Sequence, residues 1–343
     1  MTLVAVGCDV GDAEHQPVDA PPVTVRSFLA TVEGGTPDDP QPVTDESTRV
    51  VPSSSLRIRF DRFLLPSTVA RQAFCLRAGT EDVANGTQCN GGVFIQPSYD
   101  PVRREIVLRQ EPGARLALDT FYKLTLYLPT EEGACGADDP PESCGIRAFD
   151  RAPLDKAYSF TFRTVVTDPG DVPDEAAPAG AFCGTGGAAE VLANSCAYAR
   201  CHSSTKSVGA AMGLDFSGIQ LGDPANLRAT GIDRVAHGTQ MGGNADDSEK
   251  TPSRFGRAMP IIDGKGASPG DSYLMYKLLT GMSVTDAPDD IAPGDEEIAR
   301  IRASVVVGMP MPAPDPATGP LPPEQLLALS AWIARGAPTP VCE

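Results

Sequence analysis

The stretches LRIRF at residues 56–60 and YSFTF at residues 158–162 give the strongest indication of the fold of the first half of the chain. In both, apolar and polar side chains alternate with a period of two, which turns one face of an extended strand inward and the other outward. Similar runs occur at 23–28, 105–108 and 122–127, with turn residues between them. About seven such runs between residues 21 and 167 predict an antiparallel β-sandwich.

This half of the chain resembles the bacterial immunoglobulin-like domains of cell-surface proteins. The resemblance rests on LRIRFDRFLLPSTVARQAFCLRAG at 56–79 and on YSFTFRT at 158–164, and it covers about residues 50–166. It implies an immunoglobulin-like sandwich that serves as a spacer or docking module. A fold of this kind says little about chemistry.

The second half of the chain shows the apolar spacing of helices instead of the alternation of strands. Residues 168–180 are rich in proline, glycine and acidic side chains and are predicted to form a linker. Beyond them, residues 186–201 and 323–336 show the apolar spacing of helices, and a helix is predicted at Pro323–Arg335. We therefore expect a multidomain chain with a signal remnant and lipoprotein tether at 1–20, an all-β sandwich at 21–167 and a mainly α-helical domain at 181–343.

The motif CAYARCH at residues 196–202 carries the chemistry of the helical half. Covalent attachment of haem requires two thiols that form thioethers with the two vinyl groups, here Cys196 and Cys201. It also requires an imidazole directly after the second thiol, so that the ring reaches the iron from the same turn, here His202. The alternative is a disulfide or a pair of thiols beside a surface histidine.

With this motif, the second half resembles a c-type cytochrome domain. The usual spacing is C-x-x-C-H, and this chain departs from it with four residues between the cysteines. The phrases SPGDSYLMYKLLTG at 268–281 and LPPEQLLALSAWIARGAP at 321–338 extend the resemblance to cytochrome c-like domains of myxobacterial and planctomycete surface proteins, over about 183–338. It implies one covalently bound haem c, with His202 as the proximal iron ligand.

The ligand on the distal side of the iron has several candidates. A Gly-x-x-Met loop ahead of a closing helix resembles the cytochrome c ending, which makes Met311 the leading candidate. Met309, Met259 and His237 are alternatives, as is an open site. Ligation by histidine and methionine raises the reduction potential relative to two histidines, and six-coordinate iron has no vacant position for oxygen or peroxide.

The predicted function is therefore electron transfer, and the chain is not expected to be an enzyme. One alternative is a haem enzyme of the peroxidase or oxidase kind, with an open distal position. The other is a haem-free adhesion or structural protein, in which Cys196 and Cys201 form a disulfide. The chain contains no G-x-S-x-G, P-loop or dinucleotide fingerprint, and only 3 histidines.

The 9 cysteines indicate an oxidising compartment. Cys8 follows a short apolar run, which resembles the end of a bacterial lipoprotein signal, although Ala5 stands where leucine is usual; a chance apolar stub is the alternative. If Cys8 is lipidated and two cysteines hold haem, six remain for disulfides. Pairing by proximity suggests the combinations Cys75–Cys89, Cys135–Cys144 and Cys183–Cys342. We expect an exported protein of the periplasm, outer membrane or cell surface, held to the membrane only by a lipid anchor.

The formal net charge of −17 limits the partners. Nucleic acids and anionic membrane surfaces carry the same sign and would repel the chain. A redox partner protein with a basic docking face would be attracted. The acidic residues Asp295, Glu296 and Glu297 are predicted to form a solvated face.

Overall fold

The structure is a computed structural model, and it describes residues 21–37, 39–83, 89–128, 145–167, 169–170, 182–197, 202, 214–219, 222–236, 259–282, 295–304, 311–312 and 320–342. The chain divides into two compact units, one formed by Val18–Ala177 and one that includes Pro178–Glu343. We call them the sandwich unit and the helical unit. The first is rich in β-strands and the second contains several short helices.

The sandwich unit contains two sheets. The five-stranded sheet has the order β2-β1-β4-β7-β6 and the four-stranded sheet the order β3-β9-β8-β5. The strands are β1 (Val25–Ala30), β2 (Gln41–Pro42), β3 (Arg49–Val50), β4 (Leu56–Phe60), β5 (Phe74–Ala78), β6 (Ile95–Asp100), β7 (Glu105–Gln110), β8 (Phe121–Leu126) and β9 (Tyr158–Thr164). Pairing is antiparallel except between β3 and β9, which run parallel.

The alternation in β4 sets its register and its buried face. Leu56, Ile58 and Phe60 are buried, whereas Arg57 and Arg59 between them are half-buried. The inward side chains of both sheets form a common core, in which Phe162 of β9 is fully buried. The ring of Phe162 lies 5.9 Å from that of Tyr122 and 6.0 Å from that of Phe28, measured between centroids. The period of two in the sequence therefore corresponds to burial in the structure.

Five strands agree with the sequence prediction to within two or three residues at either end. They are β1, β4, β7, β8 and β9. Strands β5 and β6 were not among the named runs, and β6 contains Pro97. Proline removes one donor from a ladder, so it is confined to positions such as the sheet edge that β6 occupies. Short 3₁₀ turns at Pro66–Thr68 and Arg71–Ala73 precede β5.

The described part of the helical unit contains several short helices. They are α1 (Ala188–Ser195), α2 (Ala225–Thr230), α3 (Tyr273–Leu279), α4 (Asp295–Ser304) and α5 (Pro323–Ile333), with a 3₁₀ turn at Pro269–Asp271. Helix α5 packs against α1 and α3. Its Trp332 is fully buried, with the ring 5.7 Å from that of Phe182 and the indole N–H donating to the carbonyl oxygen of Pro338 at 2.8 Å.

Helix α5 agrees with the prediction at its start and ends two residues earlier. Helix α4 was not predicted, because its acidic first turn suggested a solvated face. Carboxylates favour the N-terminal turn of a helix, where they oppose the positive end of its dipole. The predicted tether at 1–20 lies outside the described residues, as does the predicted linker at 168–180 apart from 169–170, so these boundaries stay predictions. In the part of the chain that the structure describes, no helix is both long and apolar enough to cross a membrane.

Candidate functional site

Cys196, the first cysteine of the CAYARCH motif, lies at the C-terminal end of helix α1. The helix begins after Gly187, and Glu190 in its first turn accepts a hydrogen bond from the N–H of Gly186 at 2.6 Å. Cys196 is the residue that closes the helix, because its N–H donates to the carbonyl oxygen of Leu192 at 2.9 Å while its own dihedral angles leave the helical range. The Cys196 residue is 7% exposed. A thiol at this position is held by the helix end and lies close under the surface.

His202 is held on two sides by one short segment of main chain. Its ring nitrogen Nδ1 lies 3.1 Å from the carbonyl oxygen of Leu214. Its own carbonyl oxygen accepts a hydrogen bond from the N–H of Phe216 at 2.6 Å. The Phe216 ring lies 5.4 Å from the imidazole, between centroids, and is tilted against it by 57°. Phe216 is almost fully buried, so it forms a fixed wall beside the half-buried imidazole.

These contacts fix the tautomer of the neutral imidazole. A carbonyl oxygen only accepts hydrogen bonds, so Nδ1 of His202 carries the proton and donates to Leu214. The second nitrogen, Nε2, then has its lone pair available. Burial lowers the pKa of His202 below the ordinary value of 6.5, and the hydrogen bond to Leu214 and the negative charge of Asp215 partly offset this effect. The ring is therefore neutral at pH 7, which is the form that binds a metal ion.

Met311 lies beside the end of α3. Its N–H donates to the carbonyl oxygen of Lys277 at 3.0 Å. Its own carbonyl oxygen would lie only 2.9 Å from a Cβ atom at Gly281, so this close approach of two chain segments requires glycine. Met311 is half-buried. The segment that carries the leading distal candidate is thus attached to a helix of the core.

Met259 is 1% exposed and lies in a short ladder. Its carbonyl oxygen accepts from the N–H of Ala236 at 2.8 Å, next to a bridge between Val235 and Pro260. Several other predicted site residues lie outside the described residues, so their placement stays a prediction. They are Cys8, Cys135, Cys144, Cys201, His237 and Met309.

Two of the three suggested cysteine pairs are disulfides in the structure. Cys75 bonds to Cys89 in the sandwich unit, and Cys183 bonds to Cys342 in the helical unit, each with Cα atoms 5.4 Å apart. The second disulfide joins residues 159 positions apart, near the two ends of the helical unit. Disulfides are typical of proteins in oxidising compartments.

The C-terminal segment 338–342 is attached to Gly222 and to helix α2 by several bonds. The N–H of Cys342 donates to the carbonyl oxygen of Gly222 at 3.1 Å, and Gly222 has φ of +78° with no room for a Cβ atom beside Cys342. Arg228 of α2 donates to the hydroxyl of Thr339 at 2.6 Å and also to its carbonyl oxygen. The disulfide and these hydrogen bonds together attach the C-terminal segment to Cys183, to Gly222 and to α2.

The sequence did not reveal the residues that orient His202. The acceptor on Leu214 is a main-chain oxygen, and every residue type supplies one. Phe216 lies in a stretch with Leu214 and Ile219, and this run of apolar residues is the signal that could have indicated a packed position there. Among the residues described, no group of three or more His, Cys, Asp or Glu side chains could hold a metal ion by itself.

Comparison of the chain with models of protein families, with curated proteins and with solved structures finds no match.

Proposed function

We propose that the helical unit binds one haem c covalently through Cys196 and Cys201, with His202 as the proximal iron ligand, and that it transfers electrons. The observation that carries the proposal is the hydrogen bond from Nδ1 of His202 to Leu214. Histidines that bind metals almost always donate their second ring N–H to a carbonyl, a carboxylate or water, and this fixes ring orientation and tautomer.

The described residues fit this group in three respects. Cys196 lies at the end of a helix, directly before the segment that leads to His202. The neutral form of the imidazole is favoured by burial, as an iron ligand requires. The wall beside the ring is the apolar side chain of Phe216, which suits the face of a large apolar macrocycle. When bound, haem supplies a reversible one-electron iron couple.

The protein's own residues then orient and shield this couple. Leu214 holds the imidazole in one tautomer, and a stronger hydrogen bond at this oxygen makes the ring a more basic ligand. Met311 is the proposed distal ligand, and its attachment to α3 through Lys277 limits the positions that its side chain reaches. A site closed by two protein ligands favours electron transfer over the activation of oxygen or peroxide.

For the sandwich unit, we propose an immunoglobulin-like fold and a role as spacer or docking module. Strands β1-β4-β7-β6 follow the ABED order of one immunoglobulin sheet, and β9-β8-β5 follow the GFC order of the other. The short strand β3 pairs in parallel with β9, the strand that corresponds to strand G of the immunoglobulin fold. This topology supports the fold assignment and carries no information about a ligand.

Charge favours the helical unit as the docking side. Residues 168–343 contain 12 Lys and Arg against 22 Asp and Glu, whereas residues 21–167 contain 16 against 19. A redox partner with a basic face would be steered toward the more acidic unit, and the association rate would fall with rising salt. The two disulfides are consistent with an exported protein, for which we propose a lipid anchor at Cys8.

The test is haem staining of a denaturing gel after coexpression with the cytochrome c maturation machinery. We expect the wild-type chain to stain, because thioether bonds survive denaturation. The Cys196→Ala/Cys201→Ala variant should not stain. The matched control is Cys75→Ala/Cys89→Ala, which also removes two cysteines and should stain like the wild type.

The outcome separates the alternatives. A matured wild-type chain without stain contradicts the proposal and favours the haem-free structural protein. A stained chain that binds cyanide or peroxide rapidly at the iron contradicts the closed site and favours the enzyme. For the closed site, we expect the weak far-red absorption band typical of methionine–iron bonds in the oxidised protein, and its loss in Met311→Ala.

A further inference from the structure

Thr230, the last residue of α2, contacts the segment that holds His202 from its far side. Its hydroxyl oxygen accepts a hydrogen bond from the N–H of Asp215 at 2.9 Å. The same oxygen lies 3.1 Å from the carbonyl oxygen of Asp215 and 2.8 Å from that of Asn226. The hydroxyl of Thr230 thus contacts both the N–H and the carbonyl oxygen of Asp215.

These two main-chain groups belong to the peptide units that contact His202. In a planar trans peptide, the C=O and the N–H point in opposite directions. The C=O of Leu214 faces Nδ1 of His202, and the N–H of Asp215 in the same peptide unit faces Thr230. In the next unit, the N–H of Phe216 faces the carbonyl oxygen of His202 and the C=O of Asp215 faces Thr230.

We infer that Thr230 is a positioning residue for the iron ligand: its hydroxyl accepts from the N–H of Asp215, shares its one proton between the carbonyl oxygens of Asn226 and Asp215, and thereby orients the peptide units that hold the imidazole with Nδ1–H toward Leu214. The inference rests on the proposed function, because the orientation of Nε2 matters for an iron ligand. Thr230 acts through the two peptide units of Asp215 and is not itself a ligand.

Helix α2, which ends with Thr230, is attached to the core of the helical unit. Leu227 of α2 is 1% exposed, and its carbonyl oxygen accepts from the N–H of Gly231 at 2.8 Å. Gly231 in turn accepts from the N–H of Ile262 at 3.2 Å, where Ile232 and Ile262 form a parallel bridge. The hydroxyl therefore lies on a fixed element, while the segment that it holds has no regular secondary structure.

The hydrogen bond from Asp215 to Thr230 also polarises the peptide unit between Leu214 and Asp215, and this strengthens the hydrogen bond to His202. A peptide that donates at its N–H becomes a better acceptor at its C=O, because hydrogen bonds in a chain polarise one another. The bond from Asp215 to Thr230 therefore strengthens the acceptor at Leu214. A stronger acceptor raises the basicity of the imidazole at Nε2.

The test uses the full chain without haem, with ¹⁵N-labelled histidine and NMR at pH 8. The chain has 3 histidines, so the spectrum is simple to assign with a His202→Gln variant. In the wild type we expect the Nδ1–H tautomer of His202 to dominate. In Thr230→Val, which keeps the shape and removes the hydroxyl, the tautomer ratio should fall about threefold to tenfold. Thr230→Ser should restore it.

Thr68 of the sandwich unit provides a matched control. Its hydroxyl accepts from the N–H of Arg147 at 3.2 Å, lies 3.5 Å from the carbonyl oxygen of Arg147 and donates to that of Leu65 at 2.7 Å. Thr68→Val thus removes the same kind of bridge between two chain segments. It should leave the His202 tautomer unchanged. An equal change in both variants would show a general loss of stability and would overturn the inference.

Haem-loaded protein gives a second readout. Thr230→Val should raise the midpoint potential, because a weaker acceptor at Leu214 makes His202 a less basic ligand, and Thr230→Ser should return it toward the wild type. A chain that takes up no haem, while Thr230→Val still loses the Nδ1–H tautomer, contradicts the proposed function alone. A haem-loaded chain whose Thr230→Val variant keeps both tautomer and potential contradicts the positioning role alone.

Discussion

The sandwich unit and the helical unit hold their residues in place by different means. In the sandwich unit, strands distant in sequence are joined by continuous ladders, such as the one that pairs Tyr122 of β8 with Phe162 of β9. In the helical unit, the described helices are short, with 6 to 11 residues each. There, individual hydrogen bonds, isolated bridges and the Cys183–Cys342 disulfide link the described segments.

This difference determines where a site can be built. A ladder offers its main-chain groups to neighbouring strands, so few of them remain for a ligand. The irregular segment at Leu214–Phe216 has main-chain groups available, and it uses them on His202. The helical unit therefore depends on a few individual contacts. We expect its stability to fall more than that of the sandwich unit when one such contact is removed.

The largest expected difference concerns the disulfides. In the chain-entropy view, a bond closing 159 residues stabilises by about 5 kcal/mol and one closing 14 residues by about 3 kcal/mol. We compare Cys183→Ser/Cys342→Ser with Cys75→Ser/Cys89→Ser. The chain has 1 tryptophan, Trp332 in α5, so its fluorescence in a urea titration reports on the helical unit.

The first double variant should shift the fluorescence midpoint strongly, and the second should mainly shift the circular dichroism of the strands. A larger fluorescence shift after loss of Cys75–Cys89 would contradict the account of separate stabilisation.

The next effect concerns the core of the sandwich unit. Phe162→Ala removes a fully buried ring between Tyr122 and Phe28, so the free energy of unfolding should fall by about 3–5 kcal/mol. Circular dichroism in urea measures it. Ser159→Ala at an exposed position of the same strand is the control; it removes only a long contact of 3.4 Å with the Thr125 hydroxyl, so the expected change is below about 1 kcal/mol. Equal losses in the two variants would show that the alternation does not define the core.

The smallest effect is a pH dependence confined to the helical unit, since residues 21–167 contain no histidine. The pKa of His202 is lower in the folded state than its ordinary value of 6.5, so the unfolded state binds the proton more tightly. The stability that this group contributes is fully present above pH 6.5 and is lost as the pH falls below that value.

Fluorescence of Trp332 in urea at several pH values between about 7.5 and 5 measures this in the haem-free chain, above the range where most carboxylates titrate. His202→Gln should flatten the slope. An unchanged slope in that variant would assign the effect to another group, and iron bound at Nε2 should likewise flatten it.

The sequence predicted the parts of the fold that depend on periodicity. Strand β4 was predicted with its bounds, because Leu56, Ile58 and Phe60 alternate with arginines and the alternation reports burial. Strand β6 was not among the runs named from the sequence; it contains Pro97, which is unfavourable in a strand, and its tolerance at a sheet edge depends on tertiary context. Helix α4 was missed because its acidic start suggested solvent and not a helix end.

The site could be predicted only where it depends on side-chain identity. The pattern of two cysteines followed by His202 is visible in the sequence because thioether and imidazole chemistry require those residue types. The acceptor at Leu214 and the bridge through Thr230 were not visible, since one is a main-chain oxygen and the other is a hydroxyl that contacts main chain fifteen positions away. Such contacts depend on the tertiary path of the chain, and no local sequence pattern predicts that path.

The most direct test of the central claim is the intact mass of the matured chain under denaturing conditions, followed by a peptide map of residues 196–202. We expect an increase equal to one haem, retained on the peptide that contains Cys196 and Cys201. A chain of unmodified mass, with those two cysteines joined by a disulfide, would contradict it.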